Sequence, residues 1–156
     1  MDMSRRQALK TGGGAALLGA LVAAGFLKPQ EVFAAEWNKA AFSGKTMAET
    51  LKAMGAGSPA QSASIAITAP DIAENGAVVP VAVKSSLPNT QSIAILIEKN
   101  PNMLAANFDL PSGTDPLVGT RVKMGQTSNV YALVKADGKY YTAVKEIKVT
   151  LGGCGG

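Results

Sequence analysis

From Ser62 onward, apolar and polar positions alternate with a period of two in seven short runs. They are "SASIAITAP" (62–70), "AVVPVAVKS" (77–85), "QSIAILIEK" (91–99), "MLAANFDL" (103–110), "LVGTRVKM" (117–124), "SNVYALVKA" (128–136) and "KYYTAVKEIKVTL" (139–151). Turn formers separate them: Asn75-Gly76, Pro88-Asn89, Asn100-Pro101, Pro111-Ser112-Gly113 and Asp137-Gly138. Alternation sends successive side chains to opposite faces of a strand, so each run can bury one face and hydrate the other. About seven such strands predict an all-β fold, an immunoglobulin-like antiparallel β-sandwich. The chain has no Cys…Trp…Cys signature, so the term describes architecture only. Asp137-Gly138 suits the positive φ angles of a type I′ hairpin turn. Pro80 lacks an N–H and predicts that its run is an edge or bulged strand.

Ahead of these runs the period changes. "SGKTMAETLKAMGAGS" (43–58) places Met47, Leu51 and Met54 on one helical face, with Thr46 as cap and Glu49 three residues on. Gly55 and Gly57 then stop the pattern, which predicts one short N-terminal helix packing at the domain edge.

The first residues read differently again. Arg5 and Arg6 precede a Gly/Ala/Leu-rich run from Thr11 to Leu27 and a small-residue stretch at Val32 to Ala35. This order is that of a secretory signal, and paired arginines after Ser4 mark the twin-arginine route. Ala8 stands where that signal usually carries a large apolar residue, whereas Lys10 fits it. A membrane anchor is the other reading, weakened by the five glycines of the run. The expected cut falls after Ala34. The organisation is then a signal peptide (1–34), an N-terminal segment with the helix (35–61), the sandwich (62–151) and a terminal arm (152–156), with the mature protein in the periplasm.

Composition changes the picture in two ways. The whole chain holds fifteen basic and eleven acidic residues, but the leader takes four basic and two acidic ones with it, leaving the mature part near neutral. No Lys/Arg stripe with interleaved aromatics exists, which argues against a nucleic-acid surface. The mature part also has no histidine, one cysteine and no tight Asp/Glu cluster, so no metal ligands and no catalytic residues are assigned. Folded export without a cofactor then suggests a passenger subunit that lacks its own signal.

The single cysteine is the remaining chemistry. Cys154 stands in "KVTLGGCGG", flanked by Gly152, Gly153, Gly155 and Gly156. Ile147, Val149 and Leu151 alternate with Glu146, Lys148 and Thr150 just before it, so a strand pinned to the core meets a slim, flexible glycine-rich arm. The nearest lysine, Lys148, lies on that strand, and no base adjoins the thiol to raise its thiolate fraction. Three readings stay open: an intermolecular disulfide clamp, an incidental thiol, or a covalent attachment point for a sulfur-containing group.

The stretches "IAENGAVVPVAV", "IAILIEKNPN" and "TRVKMGQTSNVYALVKADGKYYTAVKEIKVTLGGCGG", with the leader, resemble the SoxY family, the sulfur-carrier subunits of the periplasmic thiosulfate-oxidising (Sox) system. The terminal "GGCGG" after a "KVT" strand is the most specific element, and Met103 departs from the proline that the resemblance implies after "NPN". The resemblance implies an immunoglobulin-like domain paired with a SoxZ subunit. It implies that Cys154 carries thiosulfate-derived intermediates, loaded by the cytochrome SoxXA and cleaved by the hydrolase SoxB. The protein would then be a carrier rather than an enzyme, with no cofactor beyond the sulfur bound at Cys154. Arg121, the only arginine of the mature part, reads as a strand-surface or interface residue. Two alternatives are a binding module covalently dimerised through Cys154 and a ubiquitin-like carrier whose terminal Gly-Gly becomes a thiocarboxylate.

Overall fold

The computed structural model describes residues 38–150. The expected signal with Arg5, Arg6 and the cut after Ala34 lies outside the described residues, as do Leu151, Cys154 and the four arm glycines. Within them the chain forms α1 (Lys39–Ser43), α2 (Met47–Ala53) and nine strands. The strands are β1 (Ala60–Gln61), β2 (Ile65–Thr68), β3 (Ile72–Ala73), β4 (Val79–Ser85) and β5 (Thr90–Ile97), then β6 (Leu104–Asp109), β7 (Leu117–Val122), β8 (Ser128–Ala136) and β9 (Lys139–Val149).

All seven period-two runs are strands, and they divide between two sheets. The smaller sheet has the order β2-β4-β7, and the larger runs β1-β9-β8-β5-β6 with β3 also on β9. The inward faces meet in one core: Val79, Val81 and Val83 of β4 face Ile93, Ile95 and Ile97 of β5 together with Val130, Val134 and Ile147. This is the immunoglobulin-like β-sandwich that the alternation predicts.

One departure from simple alternation has a direct cause. Ile93 to Ile97 are all 0% exposed, so both faces of β5 are covered. The second face is sealed by the helices, whose Met47, Leu51 and Met54 pack with Phe42 over Ala94, Leu96, Leu104 and Leu133. The helix predicted from this pattern is therefore a lid on the outer face of the large sheet. Tyr140 fastens it there by donating its hydroxyl to the Met54 carbonyl at 2.7 Å.

Other differences are local. The sandwich is not wholly antiparallel, because β1 and β3 both run parallel to β9. Two-residue strands are too short for a period to show. Helix α1 is likewise brief; Asn38 caps it by accepting from the Ala41 N–H at 3.0 Å and also donates to the Ala53 carbonyl at 2.8 Å. Strand β4 is the middle strand of its sheet rather than an edge, yet β2 pairs only with Ala82 to Ser85. Pro80 therefore lies beyond the end of β2, with β7 as its one paired neighbour, which accommodates the missing N–H. Met103 is buried and donates its N–H to the Gly44 carbonyl at 3.1 Å, a bond that proline could not make.

The Asp137-Gly138 hairpin forms as expected. Its φ angles are 48° and 73°, and Ala136 pairs with Lys139 across it. Helix α2 opens with the predicted capping box: Thr46 Oγ1 accepts from the Glu49 N–H, and Glu49 Oε2 accepts from the Lys45 and Thr46 N–H groups. Those backbone donors, Lys45 first, hold the Glu49 carboxyl below its ordinary range. A depressed carboxyl pKa supplies stability above the unfolded value, and the contribution disappears as pH falls through the folded one. The thermal-stability gap between the native chain and Glu49→Ala should therefore be full at neutral pH and shrink on acidification below about 4.5. A gap independent of pH would contradict the capping role.

Candidate functional site

The residue that carries the chemistry in the sequence reading, Cys154, lies outside the described residues. What the structure defines is the root from which its segment departs. Strand β9 is paired with β8 from Lys139 to Ile147. Its opposite edge is occupied near the end by β3, with Ile72 beside Lys148 and Ala73 beside Val149. The ladder closes through the Lys148 N–H to the Asp71 carbonyl at 2.9 Å and the Thr150 N–H to the Ala73 carbonyl at 3.1 Å.

Side chains add to this hold. Ile147 is fully buried, and Val149 packs against the same core. The Val149 N–H donates to Thr127 Oγ1 at 3.0 Å, which takes over where β8 has ended. Lys145 reaches across to the β2–β3 connection, with Nζ 2.9 Å from Asp71 Oδ1 and donating to the Ala69 carbonyl at 2.7 Å. Asp71 is 89% exposed, so water screens the pair; its effect is to set the register of the strap that carries β3.

Gly76 closes the arrangement. Its carbonyl accepts from the Met124 N–H at 2.7 Å, and a Cβ built on it would run into the Met124 carbonyl oxygen and come within 2.8 Å of Val149 Cγ1. Only glycine lets the strap lie this close to the last strand. Sequence reading assigned Asn75-Gly76 to a turn, and Asn75 does make one, its Oδ1 accepting from the Ala77 N–H at 2.9 Å. The packing against Val149 had no local signal. Thr127 and Val149 are 22 residues apart, and Ala69 and Lys145 are 76 apart, so neither link could be read from a window of sequence.

Chemically the root is a mount. Among the described residues no three His, Cys, Asp or Glu side chains converge to hold a metal ion. Arg121, the other residue singled out, lies exposed on β7 opposite Pro80, on the outer face of the small sheet.

Comparison with known proteins decides the family. The model for the sulfur oxidation protein SoxY matches residues 51–154, two-thirds of the chain and inclusive of Cys154. The chain belongs to the SoxY family. Among solved structures it is similar to the sulfur carrier protein SoxY from Chlorobium limicola f thiosulfatophilum, at 42% identity and a TM-score of 0.57. That match covers 64% of this chain and 93% of the Chlorobium one. A superoxide reductase (neelaredoxin) from Ignicoccus hospitalis is also similar, at 22% identity and a TM-score of 0.50, covering 56% of this chain and 80% of that one. At that identity the likeness concerns the β-sandwich fold alone. No curated protein matches the chain.

The root of this SoxY-family chain is testable by itself. Gly76→Val should destabilise the domain by about 1–3 kcal/mol through overpacking against Met124 and Val149. Gly125→Val, where a Cβ meets open space, should stay within about 0.5 kcal/mol of the native chain. Urea unfolding of both variants checks this, and equal stability would contradict the close approach.

Proposed function

We propose that this SoxY-family protein is a sulfur-substrate carrier that holds thiosulfate-derived intermediates on Cys154 and presents them to separate enzymes. The single observation that supports this reading most is the anchoring of the end of β9, by β8 and Thr127 on one edge as far as Val149 and by β3 on the other as far as Thr150, four residues before the only cysteine of the chain. Four residues span at most about 14 Å. Two of the three between Thr150 and Cys154 are glycine, and glycine adds conformational freedom and no width. Gly152, Gly153, Gly155 and Gly156 form the carrier arm.

Loading is an oxidation. The Cys154 thiol and thiosulfate join through a new S–S bond, releasing one proton and two electrons to a c-type cytochrome of the SoxXA kind. Water then cleaves the terminal S–S bond at a SoxB-like hydrolase, releasing sulfate and leaving a persulfide on Cys154. The sequence around Cys154 contains no base to activate the thiol, so the receiving enzymes supply the chemistry and the carrier itself is not an enzyme. No cofactor is required beyond the covalently bound sulfur. The mature protein acts in the periplasm after twin-arginine export and removal of the leader after Ala34. It travels as a heterodimer with a SoxZ-like subunit that lacks a signal of its own.

Reconstitution with the purified partner enzymes tests the reading. Cys154→Ser should abolish thiosulfate oxidation while heterodimer formation is retained. Under the alternative of a module covalently dimerised through Cys154, activity would follow disulfide formation, and a covalently dimerised form would be the active one. Changing Gly153 and Gly155 together to Val should leave folding intact but slow turnover of the adducts, because β-branched side chains widen and stiffen the arm. Unimpaired turnover in that variant would contradict a slim arm threading into partner channels.

A further inference from the structure

The strap that holds the end of β9 contains a dipeptide with chemistry of its own. Asn75-Gly76 opens a four-residue turn, closed by the Val78 N–H donating to the Asn75 carbonyl at 3.3 Å. Asparagine suits the first position of such a turn, because its side chain can accept from the backbone two residues on. It does so here: Asn75 Oδ1 accepts from the Ala77 N–H at 2.9 Å. That bond closes only with the side chain folded forward over the Asn75–Gly76 peptide, which puts Cγ on the side of the Gly76 nitrogen. Asn75 is exposed, so water reaches its amide. The Gly76 N–H has no hydrogen-bond acceptor among the described residues, although the Gly76 carbonyl is held by Met124. Glycine has no Cβ to obstruct approach to its nitrogen. The Ala77 N–H also points at the oxygen on which negative charge develops if that nitrogen adds to Cγ, the arrangement that stabilises an oxyanion.

None of the other six asparagines combines these features. Asn100 precedes Pro101, which has no N–H. Asn102 precedes Met103, whose N–H is committed to the Gly44 carbonyl. Asn107 and Asn129 lie within β6 and β8. Asn38 caps α1 with its own side chain, and Asn89 precedes the β-branched Thr90 and donates Nδ2 to Asp137.

We propose that Asn75 is a self-modification site, converting without an enzyme to isoaspartate, and that this product unfastens the strap from the end of β9. The Gly76 nitrogen gives its proton to hydroxide and adds to Asn75 Cγ. The new N–Cγ bond replaces the Cγ–Nδ2 bond, and ammonia leaves. Water then opens the five-membered imide. Opening at Cγ gives an ordinary aspartate; opening at the backbone carbonyl gives isoaspartate, whose chain runs through Cβ and Cγ. In sum one water enters and one ammonia departs, with no change of oxidation state.

The strap has little slack to absorb this. Ala73 is fixed by the Thr150 N–H on one side of the dipeptide, and Val79 is paired with Val122 on the other. Between them Gly76 lies so close to Met124 and Val149 that even a Cβ has no room. Isoaspartate inserts one methylene into this span and sets a carboxylate beside Glu74. The bond from Ala77 to the asparagine side chain is lost, because that side chain has become the backbone. Gly76 then moves off Met124, and the β3 ladder, only two residues long, loses the packing behind it. An ordinary aspartate adds charge without lengthening the chain and leaves the ladder in place. What a loosened root does to cargo delivery rests on the carrier reading above; the modification and the loosening stand apart from it.

The test incubates the purified mature chain in mildly alkaline buffer and follows it by peptide mapping, with isoaspartate identified by electron-transfer fragmentation. Hydrogen exchange then reads the Lys148 and Thr150 amides, whose acceptors are the Asp71 and Ala73 carbonyls of the strap. Asn75 should convert at least about tenfold faster than any other asparagine, since Gly76 alone leaves its nitrogen unobstructed. Both amides should exchange at least about tenfold faster in the isoaspartate fraction than in fresh protein. Asn75→Ser, whose hydroxyl can keep the turn, should hold the exchange of fresh protein throughout the incubation, and Asn75→Asp should match it at the outset. Conversion in a synthetic peptide of residues 72–79 but not in the folded chain would mean that the turn protects Asn75, and would overturn the site. Isoaspartate at this position with unchanged exchange at both amides would overturn the unfastening. Neither readout involves sulfur cargo, so failure here and failure of the carrier reading are told apart.

Discussion

A strand hydrogen-bonded along one edge can fray from its end, but one held on both edges cannot leave without breaking two ladders. Strand β9 is held this way at its end: where β8 stops, Thr127 takes the next N–H, and β3 occupies the other edge through Thr150. The alternation of Ile147 and Val149 into the core forbids a one-residue slip, because a slip would turn both side chains to solvent. The terminal segment therefore starts from a fixed point. A short reach of about 14 Å is useful only if its origin does not wander.

The rest of the fold serves that fixed point. The sandwich core holds β8 and β9 from one side, and the helical lid holds the large sheet from the other, with Tyr140 of β9 itself hydrogen-bonded to α2. The strap from Ala69 to Gly76 is drawn onto β9 by Lys145 and kept close by a glycine that leaves room for Val149. A domain built this way contributes placement and surfaces. On the reading proposed, chemistry belongs to the enzymes that receive the arm.

Much of this was legible in the sequence because it depends on local periodicity. The seven main strands, the capping box of α2 and the Asp137-Gly138 turn all follow from residues within a few positions of one another. What was not legible depends on pairs distant in the chain. Strands β1 and β3 are too short to show a period, and both exist only because β9 offers a free edge. Pro80 suggested an edge strand, whereas β4 is central and the proline simply lies past the end of β2. Met103 showed as a departure in a loop, and its N–H proves to tie that loop to Gly44. Family membership could be read from the "KVTLGGCGG" end and its flanking strands, because a glycine-cradled lone cysteine after a strand is a specific pattern. The root's own design, Gly76 against Val149 and Thr127 on the last free N–H, became visible only in three dimensions.

The most direct test of the central claim is the intact mass of the protein recovered from the periplasm of thiosulfate-grown cells, followed by peptide mapping. A carrier predicts a population beginning at Ala35 with thiosulfate-derived sulfur added, every addition mapping to Cys154. Recovery of only the unmodified or disulfide-dimerised chain, or of additions at the terminal carboxyl group, would contradict the account.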